Sequence, residues 1–330
     1  MYTRTDGVIK MMDGSSDVLC EDLLIEIENC AVDMARGAAL ILGKHFGTRL
    51  EVEYKDERET DPVTQVDKEC QEFLVDAISK RFPCHGIVGE EDTPKEDSIA
   101  PEIVWILDPL DGTKNFLSGF PVYASSIGVL YKGTPVVGVI YVPWPGCDGG
   151  KVFRARVGAG AFVNEERLSV FEATQPAPVR LIALPGSLRG LERFGELARG
   201  PIGEVRVTGS IAYELAMTCK GVLQYTITMS PHLWDIAAGA LLVREAGGIV
   251  MAGTSARKSI VGYQQTWGKT DSLIPNWKEG ETTMQQLRNW SQPLVLGGPD
   301  IVTWVIANLS AVRSRPGRLA NILRSLNLRL

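Results

Sequence analysis

The sequence predicts an α/β protein whose first half is α+β and whose second half is α/β. Two β-rich runs at 123–131 and 135–142 are joined by Lys132-Gly133-Thr134, a hairpin signature that makes the first half antiparallel. From residue 179 onward, short apolar runs alternate with helical spacings, which argues for layered α/β packing. A chain of 330 residues can bury a large core, as one big domain or two intimate ones.

Residues 1–17 are polar and irregular and read as a loose arm. Over 22–46, Leu23, Ile27, Cys30, Ala31, Met34, Ala38 and Leu42 recur at helical spacing, with Gly47 as the stop. Leu50, Val52 and Tyr54 alternate with Glu51 and Glu53, the pattern of a half-exposed strand. Val66, Cys70, Phe73, Leu74, Ala77 and Ile78 mark a second amphipathic helix. Residues 103–107 form a short apolar strand that ends on Asp108. The hairpin and a strand at 151–155 follow. The second half reads as strands 179–184, 204–208, 222–228 and 248–252, separated by helices 187–199, 210–220 and 234–246. Residues 253–291 break this rhythm. They hold Trp267, Trp277 and Trp290 among polar residues and read as an insertion, either a lid, a contact element or a loose stretch. A strand at 293–298 and a helix at 301–309 resume the order. The resulting organisation is an arm (1–17), an α+β metal-binding half (18–150), an α/β substrate half (151–310) and a basic tail (311–330) with five arginines and no acid.

Composition narrows the function. The chain is 45% hydrophobic and 22% charged, ordinary for a globular protein. A net charge of -6 argues against a nucleic-acid binder, which needs a basic face. Six scattered cysteines without a C-x-x-C pair fit reduced thiols, and hence a cytoplasmic location, better than disulfides or zinc. Asp6, Asp13 and Asp17 interrupt the N-terminal region, so no signal peptide is expected there, and no run of 18 apolar residues suggests a membrane span.

Carboxylates in a few short motifs carry the chemistry. Asp67 stands three residues after Thr64, the spacing of a capping box, and spacing alone does not separate that role from a site role. Glu90, Glu91 and Asp92 follow Ile87-Val88-Gly89, a strand end. In Asp108-Pro109-Leu110-Asp111-Gly112-Thr113, two acids three residues apart sit in a tight turn. Such a turn aims both side chains and an intervening carbonyl at one point, and Gly112 and Thr113 offer amides to a phosphate. The strand leading in is too apolar for a surface turn. Asp235 follows Trp234 at a helix start, where an aspartate also serves as a cap. Buried charges are costly unless compensated, and hard divalent cations compensate carboxylates well. The group reads as a multi-metal phosphoesterase site. Gly158-Ala159-Gly160 lacks the remainder of a dinucleotide fingerprint.

Four of these motifs in this order, Asp61-Pro62-Val63-Thr64 to Asp67, Gly89-Glu90-Glu91, Trp105 to Thr113, and Trp234-Asp235, resemble the inositol monophosphatase family. Gly158 to Asn164 and Glu245-Ala246-Gly247-Gly248 extend the likeness. The resemblance implies a layered αβαβα sandwich, a homodimer, lithium sensitivity, and two or three Mg²⁺ ions acting on a small phosphorylated metabolite. It implies that Glu90, Asp108 and the Leu110 carbonyl hold one metal. Asp108, Asp111 and Asp235 would hold a second, with Glu90 also aiding a third. It implies that Asp67 and Thr113 activate water and that Gly112 and Thr113 receive the phosphate. Asp111, Ser187, Gly209 and Ser210 are expected on the phosphate and substrate side, with Lys55, Glu91 and His232 as further candidates. The expected substrate is an inositol monophosphate-like polyol, sugar or nucleotide phosphate. Histidinol phosphate, fructose 1,6-bisphosphate and 3′-phosphoadenosine 5′-phosphate are alternatives, as is a non-catalytic regulatory role. In inositol-specific members of that family, a glutamate stands four residues before the histidine of His-x-Trp-Asp. Here the histidine is His232 and that position is Thr228.

Overall fold

Helix α1 (Glu21–His45) buries Leu24, Ile27, Ala31, Ala35, Ala38 and Leu42, a single stripe at helical spacing. Each large side chain so buried is worth about 1.5–3 kcal/mol. The computed structural model describes every residue except 1, 6–7, 12–17, 55–56, 59–61, 93–96, 147–148, 186–201, 254–256, 260–261, 265 and 310–330. Lys55, Ser187, the expected helix 187–199 and the basic tail lie outside the described residues.

With α2 (Gln65–Arg81), α1 covers one face of a seven-stranded sheet. Its strands are β1 (Gly86–Gly89), β2 (Ile103–Asp111), β3 (Ala124–Tyr131), β4 (Thr134–Val142), β5 (Lys151–Arg156), β6 (Gly160–Val163) and β7 (Glu166–Arg167). They lie in the order β7-β6-β5-β4-β3-β2-β1, and only the β1/β2 pair is parallel. The β3–β4 hairpin turns through Lys132 (φ 45) and Gly133 (φ 78), the paired positive φ values of a two-residue hairpin turn. The sheet continues past residue 150 to Arg167, because the antiparallel meander adds neighbouring strands in sequence.

Short helix α3 (Thr113–Leu117) follows β2 directly. Helices α4 (Ile211–Cys219) and α5 (Leu233–Glu245) pack on the other face of the sheet. The approach of α5 is close: a Cβ at Gly128 would lie 2.6 Å from Ala237, and one at Gly138 2.6 Å from the Ala238 carbonyl. Beyond these helices lies a six-stranded sheet of β8 (Leu181–Ala183), β9 (Glu204–Arg206), β10 (Leu223–Thr228), β11 (Ile249–Gly253), β12 (Trp267–Lys269) and β13 (Leu294–Gly297). Their order is β9-β8-β10-β13-β11-β12. Helix α6 (Met284–Arg288) sits near β1, and α7 (Pro299–Asn308) covers the outer face through Ile301, Val302 and Val305. The layers are therefore α/β/α/β/α.

Two stretches carry more structure than their sequence suggests. Residues 2–5 and 8–11 of the expected arm pair as antiparallel strands, and 8–10 pair in turn with 18–20. Within 253–291, Leu273, Leu287 and Trp290 are buried, Leu273 and Ile274 donate their amides to Gly133 O, and β12 extends the second sheet. Among the described residues, five cysteines are free thiols and no helix is long and apolar enough to cross a membrane.

Candidate active site

Strand β2 does not end at Asp108 as its apolar run suggests; it continues to Asp111 with a register shift between the two acids. Such an irregularity re-aims side chains along a strand. The Leu110 amide donates to Asp108 Oδ1 at 3.0 Å, fixing the tight turn. Gly112 then adopts φ +94, which lets the chain leave the sheet and enter α3 at Thr113. A Cβ there would also press on Ser210 Cβ and the Val122 carbonyl, each at 3.1 Å.

Asp235 reaches the same place from the other side. It is the third residue of α5 rather than its cap, and its Oδ2 accepts the His232 amide at 2.7 Å. Ser126, paired with Asp108 across β2 and β3, donates from Oγ to the Trp234 carbonyl at 3.3 Å and ties the helix start to the sheet. Carboxylate oxygens of Asp108, Asp111 and Asp235 consequently lie within 4.8 Å of one another.

Electrostatics marks this cluster. Asp108 is buried, and burial first, then the charges of Glu90, Asp111 and Asp235, raise its carboxyl well above the ordinary range. Asp235 is raised likewise, by burial and then Asp111, against the opposing bond from His232. Asp111 is pushed up to about 7 by burial, although the Ala212 amide (2.5 Å) and Ser210 Oγ (2.8 Å) donate to its Oδ2. Asp108, Asp111 and Asp235 are each raised by burial and by neighbouring carboxylates, and this oxygen donor set fits a hard divalent cation.

Asp67 joins as the third residue of α2. Its Oδ2 accepts the Thr64 amide at 2.8 Å and the Thr64 hydroxyl, closing the expected capping box. Its Oδ1 lies 3.2 Å from Thr113 Oγ1, which is also 3.0 Å from the Leu110 carbonyl. Burial raises the Asp67 carboxyl, with Glu90 adding to the shift. The cap and the site use different oxygens of one carboxylate.

Other expected residues fall around this centre. Glu90 directly follows β1, with its amide donating to Leu107 O at 3.0 Å. The Glu91 amide donates to Gln71 Oε1 at 3.0 Å. Ser210 caps α4 and donates to Asp111, which places its hydroxyl behind the acid. Gly209 takes φ +80 beside Asn115, and Asn115 Nδ2 donates to the Val122 and Thr208 carbonyls at 2.6 and 2.7 Å. His232 stacks on Trp234 at 4.4 Å. Sequence reasoning missed Gln71, Asn115 and Glu214. Glu214 is pushed up to about 7 by burial and accepts Thr208 Oγ1 at 2.7 Å, holding the loop before α4. None of the three lies in a motif: Gln71 acts on residues 20 and 21 positions away and Asn115 on Thr208, 93 positions away, while Glu214 acts locally on Thr208.

The family model described as the inositol monophosphatase family matches residues 23–292. Among curated proteins, the chain is similar to the Nus factor SuhB of Escherichia coli, at 36% identity over 67% of this chain and 83% of that protein. It is 33% identical to a fructose-1,6-bisphosphatase/inositol-1-monophosphatase of Aquifex aeolicus, over 66% and 84% of the two chains. It is 30% identical to human inositol monophosphatase 1, over 68% and 83%. Among solved structures, the extragenic suppressor protein suhB of Bartonella henselae superposes with a TM-score of 0.66 at 27% identity, covering 86% of this chain and 98% of that one. The Thermotoga maritima IMPase gives 0.65 at 26%, covering 86% and 96%.

Proposed function

The chain belongs to the inositol monophosphatase family and is a phosphoric monoester hydrolase; on that premise we propose that it cleaves a small phosphate monoester with Mg²⁺ at the Asp108–Asp111–Asp235 cluster. The observation that carries this reading is the convergence of three acid side chains within 4.8 Å beside the Gly112-Thr113 turn. Glu90, Asp108, Asp111, Asp235 and the Leu110 carbonyl would hold two or three cations. When bound, these supply charge neutralisation for the phosphate and acidify water.

The chain's own groups do the rest. Thr113 Oγ1 donates its proton to Asp67 Oδ1, which leaves its lone pairs to accept a proton from the attacking water. Burial of Asp67 strengthens it as the final acceptor. Ser210 and the Ala212 amide fix one oxygen of Asp111, so only the other is left to turn toward the centre. The Gly112 and Thr113 amides would receive the phosphate at the start of α3. Phosphate monoester hydrolysis needs acceleration of up to ~10²¹-fold, and general base catalysis supplies only ~10²–10⁴ of it. Charge neutralisation and positioning at the acid cluster must therefore dominate.

The substrate is a polyol, sugar or nucleotide monophosphate. The two activities in the name of the Aquifex aeolicus relative support that breadth. A homodimer in the cytoplasm fits the family resemblance and the thiol usage. A net charge of -6 supports a metabolite rather than a nucleic acid as the ligand. The Escherichia coli relative named as a Nus factor favours a second reading, a binding role on the same fold. Phosphate release from a panel of phosphometabolites, with Mg²⁺ and after chelation, decides. Mg²⁺-dependent release supports the phosphatase reading, and no release from any member with a folded protein contradicts it.

A further inference from the structure

Residues 253–291 carry one side chain that reaches both ends of the acid cluster. Arg288, the last residue of α6, donates from Nη1 to Gly89 O at 2.6 Å and from Nη2 to Glu90 O at 3.1 Å and Asp92 O at 2.8 Å. Its guanidinium carbon also lies 5.4 Å from the centroid of the Trp234 ring, the residue before Asp235. We propose that Arg288 is a positioning residue for metal binding, locking the Glu90 loop to the start of the Asp235 helix. The proposal rests on the reading of the acid cluster as a metal centre.

Geometry separates this role from simple anchoring of the segment. A planar fork with several donors is what three converging carbonyls require, and the same plane stacks on an aromatic face. Arg288 gives these three hydrogen bonds to backbone oxygens and adds a long ion pair, 3.9 Å, to the Asp92 carboxylate. Gln71 holds the same loop from α2, accepting from the Glu91 amide and donating to Asp92 Oδ1 at 2.9 Å. The loop is thus gripped from two sides, but only the Arg288 grip extends to Trp234. Trp234 in turn is stacked on His232, whose amide bonds Asp235. Without the arginine, Glu90 and Asp235 lose a common rigid support. Partners that orient ligating carboxylates typically change metal affinity by about 10–100-fold when removed.

The test is equilibrium binding of Mn²⁺, read as free ion by electron paramagnetic resonance, to the full chain without substrate. Arg288→Met keeps an apolar stem and should bind Mn²⁺ at least about tenfold more weakly. Arg288→Lys keeps the charge but not the fork and should fall between it and wild type. Leu287→Val loosens the same helix through a fully buried neighbour; it should lower Tm yet bind Mn²⁺ as wild type does. A folded Arg288→Met variant with Mn²⁺ affinity within about twofold of wild type would overturn the proposal, as would equal weakening by Leu287→Val. If Arg288→Met does not fold, Arg288→Lys decides alone: wild-type affinity overturns, severalfold weakening supports. Wild type that binds no Mn²⁺ overturns the proposal together with the metal centre. Tight Mn²⁺ binding without phosphate release rejects the phosphatase reading alone and leaves the Arg288 comparison valid.

Discussion

Thr113 Oγ1 lies 3.2 Å from Asp67 Oδ1, and the two residues are 46 positions apart in the chain. The contact joins the first turn of α2 to the first residue of α3. It makes Asp67 more than a helix cap, because the cap bonds occupy only Oδ2.

Asp67→Asn and Thr113→Ala should each lower kcat more than they raise KM. The double variant should lose less than the product of the two single losses, since groups acting as a unit are not additive. Steady-state kinetics on the three variants checks this. If Asp67→Asn costs only about 1 kcal/mol of stability and no turnover, its role is capping alone.

The raised carboxyls make the metal-free protein sensitive to pH in a defined direction. Asp111 is pushed up to about 7, and Asp108 and Asp235 are also raised. A group with a raised folded pKa loses its stabilising contribution as pH climbs from its unfolded value to its folded one. The metal-free protein should therefore lose stability between about pH 4 and about pH 7. Mg²⁺ at ~100 times its dissociation constant adds about 2.7 kcal/mol per site. Thermal melts should show a larger rise in Tm with Mg²⁺ at pH 8 than at pH 5. An equal rise at both would contradict the coupling.

Much of this centre was legible in the sequence because its densest part is local. Asp108, Leu110, Asp111, Gly112 and Thr113 fall within six residues, after a run too apolar to be a surface loop. Asp67 was legible through Thr64 for the same reason. The supports were not. Gln71 acts across 20 and 21 residues, and Arg288 across nearly 200, and no periodicity encodes such distances. The segment 253–291 read only as an insertion, either a lid, a contact element or a loose stretch, because its buried residues, Leu273, Leu287 and Trp290, follow no regular spacing. They join the main core, and Trp290 Nε1 donates to the Leu273 carbonyl at 2.8 Å. Asp235 was legible both as a site acid and as a cap, and it takes part in both: it stands three positions after the cap residue His232 and accepts that residue's amide.

Thr228 stands four residues before His232, at the position where the resemblance puts a glutamate in inositol-specific members. It ends β10, is buried, and its Oγ1 has no hydrogen-bond partner among the described residues. A hydroxyl makes only neutral hydrogen bonds, whereas bonds to a charged group are worth ~1.5–3 kcal/mol. Selectivity for inositol 1-phosphate over glycerol 2-phosphate should stay below about tenfold in kcat/KM. Thr228→Glu should raise that ratio. A wild-type preference of about a hundredfold would show that other contacts set specificity.

The acid cluster itself is tested most directly by phosphate release from Asp108→Asn at saturating Mg²⁺. Asp108 is the buried acid that touches the fields of Glu90, Asp111 and Asp235 together. An amide is a poorer ligand, and losses even in the surrounding shell cost about 10–100-fold. Turnover should fall by more than that. The metal-free variant should melt no lower than wild type, because a crowded charge is removed. Near-wild-type phosphate release from a folded Asp108→Asn protein would contradict a metal-dependent phosphatase centre at this cluster.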